Sequence, residues 1–195
     1  FESDFRSLIK RLCDEHAPAM TGAYALFGHS MGALLAHGLA QEQRARRATL
    51  PRALFAAGSG APSTFDAQRF AKHDDAALIA DLHKQGGTPA VVFQNAELLR
   101  IALDSLGSDY RLCDSFAYAP SQRLPCALHV LGGKDDELAI ERLEAWQREA
   151  VGVFSLDWFD GGHFFIRQRE EQVLALIAQK LSARVDAVEH DPVST

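Results

Sequence analysis

The sequence contains only three cysteines, Cys13, Cys113 and Cys126, an odd number with no Cys-x-x-Cys spacing. Neither a disulfide framework nor a zinc site is suggested, and a reducing cytoplasm is the simplest compartment. No apolar run approaches the roughly 18 residues of a membrane helix, so no membrane partner is expected. Basic charge is scarce as well: 20 Lys and Arg stand against 26 Asp and Glu, a net charge of −6. Nucleic acid needs a clustered basic face. The one basic knot, Arg44, Arg46 and Arg47, reads as the solvated end of a helix. A Walker loop, a Gly-x-Gly-x-x-Gly pattern and an internal repeat are all missing. His16, His37, His73, His83, His129 and His190 lack metal-ligand spacing against carboxylates or cysteines, so no metal is expected.

What is present suits one globular α/β domain. The 195 residues are 47% hydrophobic and 24% charged, long enough and apolar enough to bury a core. Residues 1 to about 16 carry apolar positions at helical spacing, beginning at Phe1. Tyr24–Phe27 and Ala53–Ala57 are short apolar runs bounded by glycines, and the stretch from Met31 to about Arg44 favours helix. Strand, helix, strand in that order predicts parallel pairing with a right-handed crossover. From about Ser63 to Leu124 no strand is evident. Asp74–Lys84 and Asn95–Leu106 read as helices around the turn Gly86-Gly87-Thr88-Pro89. A helical insertion between two strands is where a lid would sit. The sheet resumes with Cys126–Leu131, followed by a helix from Asp136 to about Ala150, a last strand at Val153–Phe159 and a closing helix from Gln168 to Ala183. The domain is expected over 1–184, with a disordered tail over 185–195.

The chemistry centres on Gly28-His29-Ser30-Met31-Gly32, between an apolar strand and a helix. In that context Gly-x-Ser-x-Gly is a nucleophile elbow, a strained turn in which flanking side chains larger than hydrogen would collide. The turn lifts the Ser30 hydroxyl above the sheet and aims the Met31 N–H at an oxyanion. Serine needs a base, and the base needs an orienting acid. Asp135, in Gly132-Gly-Lys-Asp135, and His163, in Gly161-Gly-His163, follow later strands in the expected order. Asp135 is preferred over Asp136 because it lies three residues after the first glycine, which leaves Asp136 to start the next helix. Phe164 and Phe165, just after the base, are candidates to line an acyl site. His29 is expected to pack or bond locally, pointing away from Ser30.

The motifs Phe27-Gly-His-Ser-Met-Gly-Ala33, Gly58-Ser-Gly-Ala-Pro62, Gly86-Gly-Thr-Pro89, Leu131-Gly-Gly-Lys-Asp135 and Phe159-Asp-Gly-Gly-His-Phe-Phe165 resemble the type II thioesterases of nonribosomal-peptide and polyketide synthesis. The resemblance implies an α/β-hydrolase fold, with a mainly parallel sheet and a helical lid. It also implies hydrolysis of wrong or stalled acyl groups from the phosphopantetheine arm of an acyl or peptidyl carrier protein. Ser30 would be the nucleophile, His163 the base, Asp135 the acid and Met31 one oxyanion donor. No cofactor of the enzyme's own is implied, and the full-length form is expected to be a monomer. Such proteins carry N-terminal strands and a second oxyanion donor that this sequence lacks. It is therefore expected to be the C-terminal part of a longer chain, poorly soluble and weakly active alone. Rival readings are an integrated terminal thioesterase, a fatty-acyl carrier-protein thioesterase and a non-catalytic carrier-binding remnant.

Overall fold

A computed structural model describes residues 4–71, 74–120 and 123–188. The helical start at Phe1, the histidines at 73 and 190, and the tail beyond residue 188 lie outside these residues.

Four strands form one parallel sheet in sequential order: β1 (Ala25–His29), β2 (Ala53–Ala57), β3 (Ala127–Gly133) and β4 (Phe154–Phe159). Register follows side-chain alternation. Leu54, Ala56, Leu128 and Val130 point to one face, where they bury against Ala33, Ala36 and Ala40 of α2 (Met31–Ala45) and against Leu143 and Trp146. Ala53, Phe55, Ala57 and Leu131 point to the other, where Phe165 and Val173 cover them. Both faces are therefore apolar, which is why β2 and β3 are buried at every position. β1 and β4 are the outer strands, and Phe27 of β1 is 44% exposed. On β4 the polar face is satisfied locally. The Ser155 hydroxyl donates to Asp157 at 2.8 Å and sits 2.8 Å from His129 Nδ1.

α1 (Phe5–Glu15) begins at an N-cap, Asp4, which accepts the Ser7 N–H at 2.7 Å. Its buried face of Phe5, Ile9 and Cys13 packs with Leu34 of α2. The basic knot sits at the end of α2, where Arg46 pairs with Glu42 and Asp14.

Between β2 and β3 lies the all-helical insertion: two short 3-10 turns, Pro62–Thr64 and Ala67–Phe70, then α3 (Asp75–Gln85), α4 (Ala90–Gln94) and α5 (Ala96–Asp114). Asp74 and Asn95 cap α3 and α5, and Gly86 ends α3 in the left-handed region. The insertion has a small core of its own around Leu78, Leu103 and Tyr110. The Tyr110 hydroxyl donates to the Asp81 carboxylate at 2.8 Å.

After β3 the structure departs from the expected long helix. Residues 136–139 are loop, α6 spans only Ile140–Glu144, and a 3-10 turn follows over Ala145–Arg148. Trp146 is fully buried there, and its Nε1–H donates to the Ser59 carbonyl at 2.7 Å. α7 (Phe165–Gln168) and α8 (Glu170–Val188) close the chain, so helix continues past the expected end at Ala183. Among the described residues no helix is long and apolar enough to cross a membrane.

Candidate active site

Ser30 stands where β1 turns into α2, with φ 55° and ψ −122°, a conformation L-residues rarely adopt. The strain is held from both sides. Ser30 N–H donates to the Ala57 carbonyl of β2 at 2.8 Å, and its carbonyl accepts the Ala33 N–H at 3.0 Å. The two glycines of the motif are not equivalent. A Cβ on Gly28 would stand 2.0 Å from the Gly32 carbonyl oxygen, so only hydrogen fits. A Cβ on Gly32 would meet nothing within 4 Å, contrary to the expectation that both glycines are sterically required. The Met31 N–H opens α2, where the first amides of a helix have no intrahelical acceptor.

His163 enters from the loop after β4. Its Nε2 lies 3.1 Å from Ser30 Oγ. Gly161, at φ 119°, gives the loop a conformation that other residues resist. On the far side of the ring, Nδ1 lies 2.9 Å from Asp136 Oδ2. The carboxylate that meets His163 is that of Asp136, not the expected Asp135. The reason is the length of β3, which continues through Gly133 in full register with β4 instead of ending at Leu131. The loop therefore starts later, and the inward-facing position moves by one. The Asp135 side chain is exposed; its backbone N–H is what ties the two loops together, donating to Gly161 at 3.0 Å. Nor does Asp136 cap a helix, since α6 begins only at Ile140. Its second oxygen accepts the Leu138 N–H at 3.3 Å. Burial pushes the Asp136 carboxyl up, but the bond to His163, the attraction of its ring and the Leu138 N–H together outweigh burial and hold the group below its ordinary 3.8.

His29 is placed more specifically than the sequence suggests. Its Nε2 lies 2.8 Å from the His163 carbonyl oxygen. A carbonyl only accepts, so Nε2 carries the proton. Burial lowers the pKa of His29 from 6.5, keeping the ring neutral for this role. Of the two expected acyl-site aromatics, Phe164 meets the expectation in position, lining a cavity of about 330 Å³ beside Ser30. Phe165 does not. It is wholly buried under the sheet, stacked on Phe159 at 5.2 Å, because α7 turns it back toward the core.

The helical insertion gives the cavity an apolar wall through Phe65, Phe70, Leu82, Leu106 and Tyr110. Gly87 lies against Phe164 from outside the lining, where a Cβ would stand 2.2 Å from the ring. A second cavity of about 390 Å³, lined by Asp136, Arg69 and Arg142, meets the first at His163. These wall residues come from four separate segments, and nothing in their local pattern marks them. Among the described residues no cluster of His, Cys, Asp and Glu could hold a metal ion.

A strained serine at a strand-to-helix turn, above a parallel sheet whose later loops deliver a histidine and an aspartate, defines an α/β hydrolase. The model of the thioesterase domain family matches residues 3–181, and the chain belongs to that family. It is 38% identical over 179 residues to a probable cadicidin biosynthesis thioesterase of Streptomyces griseus, covering 91% of this chain and 49% of that protein. The chain thus spans about half the length of that relative. Two solved structures are similar. RedJ, the thioesterase of the prodiginine pathway of Streptomyces coelicolor, aligns with a TM-score of 0.83 at 31% identity, covering 91% of this chain and 71% of its own. BorB, a type II thioesterase from the borrelidin cluster, aligns with a TM-score of 0.80 at 33% identity, covering 91% and 73%.

Proposed function

We propose that this chain belongs to a type II thioesterase that removes aberrant or stalled acyl groups from the phosphopantetheine arm of a carrier protein. The observation that carries the reading is the unbroken hydrogen-bonded chain Ser30–His163–Asp136, at 3.1 and 2.9 Å, facing a cavity under a helical lid. Similarity to RedJ and BorB supports the thioester as substrate and a synthetase carrier protein as partner.

The geometry suits a two-step displacement. Ser30 Oγ attacks the thioester carbonyl as its proton passes to His163 Nε2, and negative charge develops on the carbonyl oxygen. The Met31 N–H is one donor for that charge, aided by the start of α2. The C–S bond then breaks, and His163 gives its proton to the departing thiol. Water, deprotonated by His163, attacks the acyl-serine carbonyl; the bond to Ser30 Oγ breaks, His163 returns the proton to Oγ, and the carboxylic acid leaves. Asp136 holds the His163 Nδ1–H throughout, keeping Nε2 free to take the serine proton.

The test combines labelling and turnover on the intact protein. A fluorophosphonate probe should label Ser30, and acyl groups should be cleaved from loaded carrier protein. Ser30→Ala should lower kcat by a factor on the order of 10⁶. A folded protein that neither labels nor hydrolyses would be a non-catalytic carrier-binding remnant, and the reading would fail.

A further inference from the structure

Two arginines are left unused by this mechanism. Arg69, in the 3-10 turn Ala67–Phe70, and Arg142, in α6, each line both cavities around His163. Arg142 Nη2 donates to the Thr64 carbonyl at 3.0 Å, while its Nε is sealed from solvent without a partner. The Arg69 guanidinium lies 5.8 Å from the centre of the Phe70 ring. Neither makes an ion pair among the described residues. Asp66 attracts Arg142 only from beyond bonding distance. Asp109 lines the same cavity, but burial alone acts on its carboxyl, which is raised and not held down by either guanidinium. Lys84, the third cation of the second cavity, is already paired with Glu137 at 2.6 Å. Burial and the neighbouring Arg69 together push the pKa of Arg142 down. Two neighbouring cations, one of them half-buried with an unused donor, repel each other; Asp66 and Asp136 attract them only from a distance, and an anion between them would offset the repulsion. The planar fork of a guanidinium matches a carboxylate in particular.

We propose that Arg69 and Arg142 form an anion subsite beside Ser30, and that the preferred substrates are half-thioesters of dicarboxylic acids whose free carboxylate the two guanidinium groups hold. The proposal rests on the thioesterase reading and deepens it. The phosphate of the pantetheine arm offers similar chemistry, but it lies at the far end of the extended arm from the thioester. The arginines share one cavity with the reacting serine.

Adipoyl and hexanoyl thioesters, equal in carbon count, separate these sources. Each is offered on N-acetylcysteamine, which has no phosphate, and on phosphopantetheine, to the intact protein and to its Arg142→Gln and Arg69→Met variants. On both carriers the wild type should favour adipoyl. Each variant should lower the adipoyl-to-hexanoyl ratio of kcat/KM about tenfold to hundredfold, the effect of losing a charge-assisted bond. Arg69 is exposed, so its variant keeps the test decisive should Arg142→Gln misfold. A ratio unmoved in the folded variants overturns the subsite. So does a loss confined to phosphopantetheine thioesters whatever their acyl group, which would put the phosphate there. Hexanoyl hydrolysis with no preference for adipoyl removes the subsite alone. No hydrolysis of any thioester removes the thioesterase reading with it.

Discussion

Replacing Asp136 by asparagine probes the site most sharply, because both carboxylate oxygens are engaged. Oδ2 accepts from His163 Nδ1 at 2.9 Å and Oδ1 from the Leu138 N–H at 3.3 Å. An amide has a single acceptor oxygen. If it faces His163, the NH₂ group confronts the Leu138 N–H, donor against donor. If it faces Leu138, the NH₂ group donates to His163 Nδ1 and the imidazole proton moves to Nε2. In that tautomer the ring can no longer take the Ser30 proton. The comparable change in a chymotrypsin-like triad lowers kcat about 10⁴-fold, and a loss of that order is expected for Asp136→Asn. The exposed Asp135 contacts its surroundings through its backbone, so Asp135→Asn should change kcat less than about twofold, in the range of neutral surface changes. Thioester hydrolysis followed by thiol release, with circular dichroism to verify folding, measures both. Since Asp136 is held below its ordinary 3.8, it stays ionised wherever an imidazole titrates, and the contrast should persist across that pH range. If Asp135→Asn were the crippled variant and Asp136→Asn kept more than a tenth of wild-type kcat, the assignment would be refuted.

Three further outcomes follow from the same geometry. Gly28→Ala drives a methyl into the Gly32 carbonyl and should cost more than about 4 kcal/mol, whereas Gly32→Ala enters open space and should cost under about 1; thermal unfolding of both decides. His29→Ala removes the donor to the His163 carbonyl and should lower kcat about tenfold with little change in KM; an unchanged kcat would show that the loop is held without it. Glu149 is buried on the α2 side of the sheet, 3.6 Å from His37 Nε2. Burial pushes its carboxyl up, yet contact with His37 and Ser63 leaves it below 4.5. A carboxyl depressed on folding stabilises above its unfolded value. Melting temperature should therefore fall as pH drops below 4.5, and less steeply in Glu149→Gln. Parallel profiles for the two proteins would contradict this.

The parallel sheet, the elbow at Ser30 and the placing of His163 beside it were legible in the sequence because each has a local cause. Apolar runs closed by glycines suit strands, and a serine between glycines at a strand-to-helix junction has few other uses. The carboxylate that meets His163 was legible only to within one residue. Local counting favoured Asp135, but which carboxylate faces inward depends on where β3 stops pairing with β4. That is settled by hydrogen bonds between segments about 25 residues apart, so the structure selected Asp136. Phe165 shows the same limit. Its neighbour Phe164 faces the cavity while α7 turns Phe165 under the sheet, a choice made by packing against Phe159. Arg69 and Arg142 carried no local signal at all, and His29, expected to bond locally, instead reaches the His163 carbonyl from far along the chain. Their partners come from the loop after β4, from the first turns of the lid and from one another, and only the folding of the lid over the sheet brings them together. The sequence determined which chemistry is available, because residue type and short-range turns set it. The tertiary structure decided which side chains share the cavity, because long-range contact has no periodicity to read.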